Sequence, residues 1–308
     1  MKILVVGAGA TGGYFGARLV QAGRDVTFLV RQGRAGVLRK RGLRIVEADG
    51  ETVVEPNLVE VEGLTGTYDL ILLSVKATAL DAAIRDFAPA VRPGTLILPV
   101  LNGMGHIEAL VERFGEGAVL GGAARVVTTL NDEGDIVRIG GPHLLTYGAR
   151  SKPAPEGLAA VEEALTGVGF DAVLYDDIVE DMWAKWAFIT SIGAVTCLMR
   201  GSIGEVAAVP GGVGFAEAVI TEAAGIVAAA GHPIPEAALE FMRSTVTTPG
   251  SPLTSSLYRD LVAGQQVEVE ALFGDLLVVA ERVGVPAPLL GLTTGLLRVH
   301  QARVTGRE

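Results

Sequence analysis

Cysteine, aromatic residues and basic charge are all scarce in this chain of 308 residues. Cys197 is the only cysteine, which excludes an intrachain disulfide and predicts a reducing, cytoplasmic compartment. Aromatic residues make up 5% of the chain, and the formal net charge is −10. A nucleic-acid-binding protein would normally carry a basic face, so we expect no nucleic-acid partner. The one notable basic cluster, residues 31–44, is explained by a local anionic ligand.

Long charge-free apolar runs are missing too, although 49% of the residues are hydrophobic and the mean hydropathy is +0.44. The longest such run, residues 186–199, is shorter than the roughly 18–20 residues that cross a bilayer. Met1 and Lys2 lead straight into a predicted strand, without the regions of a signal peptide. We therefore expect a protein with no membrane partner.

The first half of the chain alternates apolar strands with helical segments. Strands are predicted at 2–6, 25–30, 68–75 and 95–101, and helices at 10–22 and 80–90. The near-continuous apolar runs of the last two strands are typical of a parallel sheet covered on both faces. This alternation predicts a Rossmann-type, doubly wound α/β domain.

Residues 118–149 contain three shorter alternating strands with turns at 131–134 and 140–142, which we expect to extend the sheet with antiparallel pairs. A helix at 156–165 and a strand at 172–175 follow. The pattern is then helical to the end, with predicted helices at 178–199, 204–230, 235–245, 267–284 and 288–303. The sequence thus predicts an α/β domain over 1–176 and an all-helical domain over 177–308.

A glycine-rich segment stands between the first strand and the first helix. It consists of Gly7, Ala8, Gly9, Ala10, Thr11 and Gly12, and it matches the pattern G-x-G-x-x-G. In this context the first glycine permits a tight turn, the second lets the backbone approach a pyrophosphate, and the third lets helix and strand pack closely. The segment therefore predicts a dinucleotide site. A flavin site or a vestigial fold is the alternative.

Arg31 occupies the position after the second strand where an NAD-binding domain carries an acidic residue. A guanidinium binds a 2′-phosphate through two hydrogen bonds, whereas a carboxylate repels it. Arg34 lies close behind, and no acidic residue occurs between Val26 and Gly42. We therefore predict NADP (NADPH) as the cofactor. The alternative is that both arginines are solvated surface charges.

Two further polar residues follow apolar strands of the predicted sheet. Lys76 comes after the strand at 68–75, and Asn102 after the strand at 95–101. Ligands bind at the carboxyl ends of the strands in open α/β sheets, where Gly7 and Arg31 are also expected. This convergence predicts that Lys76 and Asn102 belong to the site.

Lys185 is the last of only five lysines and lies among aromatic residues in the segment MWAKWAF. Unlike arginine, a lysine desolvated by aromatic walls can release a proton near neutral pH. Reduction of a carbonyl needs a proton at the oxygen, so Lys185 is a candidate general acid. The alternative is a surface lysine whose stem packs on the tryptophans.

A second polar group of residues contains Ser256 and Glu268. Glu268 is expected in the first turn of the helix 267–284, where its carboxylate could simply stabilise the helix end. The four histidines are scattered without ligand spacing, so we predict no metal site.

These motifs resemble the ketopantoate reductase (2-dehydropantoate 2-reductase) family over essentially the whole chain. The resemblance is carried by MKILVVGAGATGGYFGARL, SVKA, LNGMGHIEAL, MWAKWAF and SSLYRDLVAGQQVEVE. It implies NADPH-dependent reduction of a 2-keto acid, most directly ketopantoate, in a cleft between a Rossmann domain and a helical domain. It also implies a small-molecule partner and leaves a homodimer open.

The resemblance implies a role for each candidate residue. Lys185 is similar to the general acid of the family and Glu268 to a catalytic partner that orients substrate and lysine. Ser256 corresponds to a donor to the substrate. Lys76, Asn102 and Glu268 correspond to residues near the nicotinamide ribose and substrate, and Arg31 to the one at the 2′-phosphate.

The chain departs from the family pattern after Lys185. The family carries two asparagines four residues apart that face the substrate, and Ile189 and Gly193 stand at these positions here. Thr190 and Ser191 are the nearest polar substitutes. Loss of the amides leaves the substrate open. Reduction of a different 2-keto acid or related carbonyl is therefore an alternative, and a non-catalytic NADP-sensing protein is another.

Overall fold

The computed structural model describes residues 1–306 of the chain. The chain divides into two compact units. The first comprises residues 1–101 and 106–179, and the second comprises residues 102–105 and the chain from Glu180 onward. We call them the α/β unit and the helical unit.

Ten strands occur within residues 1–306. They are β1 (Lys2–Val6), β2 (Asp25–Leu29), β3 (Leu43–Glu47), β4 (Gly50–Val54), β5 (Asn57–Val59), β6 (Leu70–Leu73), β7 (Leu96–Pro99), β8 (Gly121–Leu130), β9 (Ile136–Gly148) and β10 (Asp171–Leu174).

Twelve α-helices occur in the same described part of the chain. They are α1 (Ala10–Gln21), α2 (Gln32–Arg41), α3 (Leu80–Phe87), α4 (Gly105–Phe114), α5 (Leu158–Leu165), α6 (Ile178–Met199), α7 (Ile203–Ala208), α8 (Gly212–Ala229), α9 (Glu236–Thr247), α10 (Ser256–Val262), α11 (Asp275–Val283) and α12 (Pro288–Thr305). A π-helix spans Glu270–Gly274, and short 3-10 helices span Val61–Gly63, Ala77–Ala79, Ala88–Ala90 and Glu116–Ala118.

The first sheet of the α/β unit is parallel throughout, with the strand order β5-β2-β1-β6-β7. Its central strands are apolar on both faces, and every residue of β6 and β7 is buried. Such burial suits strands whose crossover connections place helices against the sheet. The order reverses direction at β1, which is the mark of a doubly wound fold, so the predicted fold class is confirmed.

The prediction that residues 118–149 extend the first sheet is wrong. β8 and β9 belong to a second sheet with the order β10-β9-β3-β4, in which β8 pairs with β9. The turn at 131–134 is present, but the turn expected at 140–142 is not, because β9 runs through it. Both Gly140 and Gly141 have positive φ there, and the β8–β9 register shifts nearby, so the glycines absorb an irregularity within one long strand.

The helical unit differs from the prediction at three places. The segment expected as one helix over 204–230 is two helices, α7 and α8, separated at Pro210-Gly211, where Gly211 has φ 80°. The segment expected as one helix over 267–284 begins with the π-helix, and α11 starts only at Asp275. Glu268 therefore precedes the helical residues instead of lying in their first turn, and the short helix α10 was not predicted.

Two helices are long and apolar enough to cross a membrane by length and composition alone. In α6, 72% of the apolar window is buried inside the protein, as in the core helix of a globular domain. The corresponding share for α8 is 39%. Two such helices are weak grounds for a membrane segment.

Candidate active site

The glycine-rich turn after β1 has two positions that only glycine fits. Gly7 has φ 96°, and a Cβ atom there would lie 2.4 Å from the carbonyl oxygen of Ser74. A Cβ atom on Gly12 would lie 2.2 Å from the carbonyl oxygen of Gly7. These two glycines are therefore required by the packing of β1, β6 and α1 against each other.

Gly9 differs from its two neighbours in the motif. A Cβ atom on Gly9 would meet no atom of the protein within 4 Å, and its φ of −79° suits any residue. It caps α1 without a side-chain hydrogen bond, and the first turn of this helix has no acidic residue. The first N–H groups of a helix have no partner within the helix, and such a helix start with open space beside Gly9 is typical of phosphate sites.

Two arginines follow β2 and have different surroundings. Arg31 is exposed at the N-terminus of α2. Arg34 is turned back into the protein, where its Nε donates to the carbonyl oxygen of Ala8 at 2.7 Å. One of its terminal nitrogens donates to the carbonyl oxygen of Gly134 at 2.6 Å. Arg34 therefore braces the glycine-rich turn, and Arg31 is the more exposed of the two arginines.

The remaining edge residues lie where the parallel strands end. Lys76 is exposed, three residues beyond β6, and Asn102 is half-buried, three residues beyond β7. Because β1, β2 and β6 are parallel neighbours in one sheet, Gly7, Arg31 and Lys76, which follow them, share one edge of the α/β unit.

Asn102 opens a four-residue segment that belongs to the helical unit. The next residue, Gly103, has φ 78°, and a Cβ atom there would lie 2.2 Å from the carbonyl oxygen of Ala271. Asn102 therefore stands beside the π-helix that follows Glu268. Sequence reasoning missed this contact, although the Asn-Gly pair is a signal for a turn with positive φ.

Lys185 lies on α6 and is 9% exposed. The rings of Trp183 and Trp186 are 5.2 Å apart on either side of it in sequence. Trp186 donates from its Nε1 to the carbonyl oxygen of Leu272 at 2.9 Å. This bond ties the helix that carries Lys185 to the segment that carries Glu268.

Two glutamates stand at the start of the π-helix, which begins at Glu270, two residues after Glu268. Glu270 is exposed and pairs with Arg298, with distances of 2.8 and 2.7 Å, and this pairing lowers the pKa of its carboxyl. Glu268 is half-buried, four residues before Leu272. Single π turns inside helices are frequent at functional sites, and this one was not visible in the sequence.

The two serines that begin α10 have different roles. Ser255 is the N-cap, whose Oγ accepts from the backbone N–H of Tyr258 at 2.9 Å and pairs with the hydroxyl of Thr196 at 2.9 Å. Ser256 is exposed on the first turn. Thr190 and Ser191, the nearest polar substitutes for the two asparagines of the family pattern, are fully buried. Their hydroxyl groups are engaged by the backbone, since Ser191 donates to the carbonyl oxygen of Ala187 and Thr190 to that of Leu272.

Side chains that could bind a metal are not clustered in the described part of the chain. Within the described residues 1–306 no group of three or more His, Cys, Asp or Glu side chains could hold a metal ion.

Comparison with known proteins gives matches over almost the whole chain. Residues 3–152 match the family model described as ketopantoate reductase PanE/ApbA, and residues 177–301 match the model of its C-terminal part. The uncharacterized oxidoreductase YkpB of Bacillus subtilis is 35% identical over 302 residues, which are 98% of this chain and 99% of that protein. A 2-dehydropantoate 2-reductase of Mesorhizobium japonicum is 26% identical over 321 residues, covering 97% of each chain.

A solved structure agrees with this chain in fold. It is the ternary structure of a D-mandelate dehydrogenase with NADH and anilino(oxo)acetate, with a TM-score of 0.89 at 19% identity. The match covers 99% of this chain and 100% of that one. At this identity the likeness concerns the fold alone.

Proposed function

Because the chain belongs to the ketopantoate reductase PanE/ApbA family of oxidoreductases, we propose that it uses NADPH to reduce a 2-keto acid to a 2-hydroxy acid. The observation that carries the proposal is Lys185, which is only 9% exposed and lies on the helix that Trp186 ties to the segment after Glu268. The first substrate to assay is ketopantoate, which would give pantoate.

The residues of the glycine-rich turn fit a dinucleotide. Gly9 leaves open space beside the uncapped N-terminus of α1, where Ala10 and Thr11 present backbone N–H groups to a pyrophosphate. Arg31 is exposed beyond β2 and would bind the 2′-phosphate, which favours NADP over NAD. When bound, the reduced nicotinamide supplies a hydride to the substrate.

Lys185 is assigned the proton transfer of the reaction. The ammonium group of Lys185 would donate a proton to the carbonyl oxygen while the carbonyl carbon accepts the hydride, so that the ketone becomes a secondary alcohol. Glu268 orients the ammonium and the substrate. Asn102 and Ser256 donate hydrogen bonds to the substrate, and Lys76 attracts its carboxylate and the phosphates of the cofactor.

A second candidate function keeps this chemistry with a different 2-keto acid. It is favoured by Ile189 and Gly193, which stand where the family pattern has two amide side chains. The same residues would carry out the reduction, because the change concerns only the substrate's side chain.

A substrate panel tests the proposal. Purified protein is mixed with NADPH or NADH and with ketopantoate, pyruvate and 2-ketoisovalerate, and cofactor oxidation is followed by absorbance. We expect NADPH to be consumed with at least one of these acids and to be preferred to NADH. No oxidation of either cofactor with any acid would refute the reductase assignment.

A further inference from the structure

The face of α6 that carries Lys185 continues into two positions without polar side chains. Residues four apart lie on the same side of a helix, so Lys185, Ile189 and Gly193 follow one another along this face. Ile189 is half-buried and Gly193 is buried. Whatever approaches Lys185 from this side therefore meets a branched alkyl side chain next.

Phe273 covers the position of Gly193. A Cβ atom on Gly193 would lie 3.1 Å from Cζ and 3.4 Å from Cε2 of the Phe273 ring, and 3.7 Å from a methyl group of Leu257. Phe273 is fully buried on the π-helix. An asparagine at 193 would have to displace this ring, so the amide of the family pattern is replaced by packed hydrocarbon.

The hydroxyl groups of this part of α6 are engaged within the helical unit. Thr190 and Ser191 are fully buried, and they donate to the carbonyl oxygens of Leu272 and Ala187 at 3.4 and 2.8 Å. Thr196 donates to the carbonyl oxygen of Ile192 at 2.7 Å and pairs with Ser255. None of these three hydroxyls is directed to a ligand, so they do not substitute for the two amides.

We propose that the substrate is a 2-keto acid with a hydrocarbon side chain, selected by Ile189 and by the packing of Phe273 on Gly193. This inference rests on the proposed function, because Lys185 must meet the ketone for the neighbouring positions to meet the side chain. A hydroxyl group on the substrate's side chain would lose its hydrogen bonds to water without gaining one beside Ile189, and this loss disfavours hydroxylated substrates. The ketone and carboxylate keep their partners at Lys185, Asn102 and Ser256.

The experiment uses two substrates that differ by a single hydroxyl group. Ketopantoate is 4-hydroxy-3,3-dimethyl-2-oxobutanoate, and 3,3-dimethyl-2-oxobutanoate is the same acid without the 4-hydroxyl. The ratio of their kcat/KM values with NADPH therefore measures how strongly the protein discriminates against the 4-hydroxyl group of the substrate. We expect the alkyl acid to be preferred by about 10- to 100-fold, as is usual when an apolar pocket meets an added hydroxyl.

A variant and a matched control link the ratio to α6. Ile189→Asn returns one amide to the face of Lys185 and should lower the preference for the alkyl acid at least about tenfold. Leu198→Asn makes the same chemical change nine residues further, about two and a half turns along, on the opposite side of α6. Its ratio should equal that of the unmodified protein, which also controls for loss of stability.

Binding provides a readout independent of turnover. The two corresponding 2-hydroxy acids are titrated against the protein saturated with NADP, and the alkyl product should bind more tightly in the same proportion. Equal kcat/KM values and equal affinities for the two acids, or a preference for the hydroxylated acid, would overturn the inference while leaving the reductase assignment intact. If neither acid is reduced with either cofactor, the proposed function itself is wrong and this inference falls with it.

Discussion

The two units of the protein present their candidate residues in different ways. In the α/β unit the proposed dinucleotide-binding segment is continuous, and it would act mainly through its backbone: Gly7 and Gly12 make the turn, and Gly9 leaves room beside the start of α1. In the helical unit the candidate residues, such as Lys185 and Glu268, come from separate segments and would act through their side chains. The first kind of site can be recognised from a short motif, whereas the second depends on which distant segments fold together.

Replacement of Lys185 should give the largest effect and tests the helical half of the comparison. Lys185→Ala removes the proton donor and should lower kcat by about 10²–10⁴-fold, while the dissociation constant for NADPH stays nearly unchanged. Lys185→Arg keeps the charge but cannot release a proton near neutral pH, so it should be nearly as slow. Steady-state rates and a fluorescence titration of NADPH check this. A rate close to that of the unmodified protein in either variant would remove Lys185 from the mechanism.

Replacement of Arg31 tests the side chain that we propose to select NADPH over NADH. Arg31→Ala should weaken NADPH binding by about 10- to 100-fold, because it removes charged hydrogen bonds to the 2′-phosphate, and should affect NADH little. Arg39→Ala is a matched control on the same helix, since Arg39 is exposed and pairs with Glu60 at 2.8 Å. Equal losses for the two cofactors after Arg31→Ala would contradict the assignment of NADP.

Alanine variants of two glycines in the glycine-rich turn should affect different properties, one the stability of the fold and the other the affinity for NADPH. Gly12→Ala forces a Cβ atom against the carbonyl oxygen of Gly7 and should lower the free energy of unfolding by about 1–3 kcal/mol. Gly9→Ala meets no protein atom, so its stability should stay within about 0.5 kcal/mol. Its affinity for NADPH should fall at least about tenfold, which corresponds to about 1.4 kcal/mol. Urea unfolding and cofactor titration measure both, and normal NADPH binding by Gly9→Ala would place the pyrophosphate elsewhere.

Two carboxyl groups, the buried Asp135 and the half-buried Asp275, should give the smallest effects, with opposite pH dependence in the two units. The hydrogen bond from Arg41 lowers the pKa of Asp135 in the α/β unit, with Asn131 helping. Burial raises the pKa of Asp275 in the helical unit, with the charge of Glu270 adding to it. Asp135 therefore contributes stability at neutral pH that is lost as pH falls through its folded pKa. The contribution of Asp275 is full at low pH and is lost as pH rises through its folded pKa.

The corresponding variants make this contrast measurable. Asp135→Asn should lower the free energy of unfolding at pH 7, and this loss should shrink on acidification. Asp275→Asn should raise the free energy of unfolding at pH 7, and this gain should also shrink on acidification. Urea unfolding between pH 3 and 8 can be followed by circular dichroism and by tryptophan fluorescence, which reports the helical unit because both tryptophans lie in α6. Parallel pH curves for the two variants would contradict the assigned causes.

The sequence predicted four of the five strands of the first sheet and the glycine-rich turn, because these depend on local patterns, but it missed the short strand β5. Continuous apolar runs identify β6 and β7, and glycine spacing identifies the turn. The second sheet was missed because β3 and β4 are short and partly exposed, and β3 pairs with the distant β9. Local periodicity contains no signal for such pairing.

The helical part of the candidate site was predicted less completely, for a related reason. Lys185 stood out by its aromatic neighbours, but the π-helix after Glu268 was not predicted. It is held by contacts from α6, where Trp186 and Thr190 donate to the carbonyl oxygen of Leu272. Likewise the covering of Gly193 by Phe273 joins residues 80 positions apart, which no spacing rule connects.

The most direct test of the proposed reduction follows the hydride from C4 of the nicotinamide to C2 of the product. The protein is incubated with 3,3-dimethyl-2-oxobutanoate and NADPH that carries deuterium at both C4 positions of the nicotinamide, and the product is analysed by mass spectrometry. The account predicts a 2-hydroxy acid with one deuterium at C2, formed at a rate that Lys185→Ala lowers by about 10²–10⁴-fold. A product without deuterium, or no product with this or any other 2-keto acid, would contradict it.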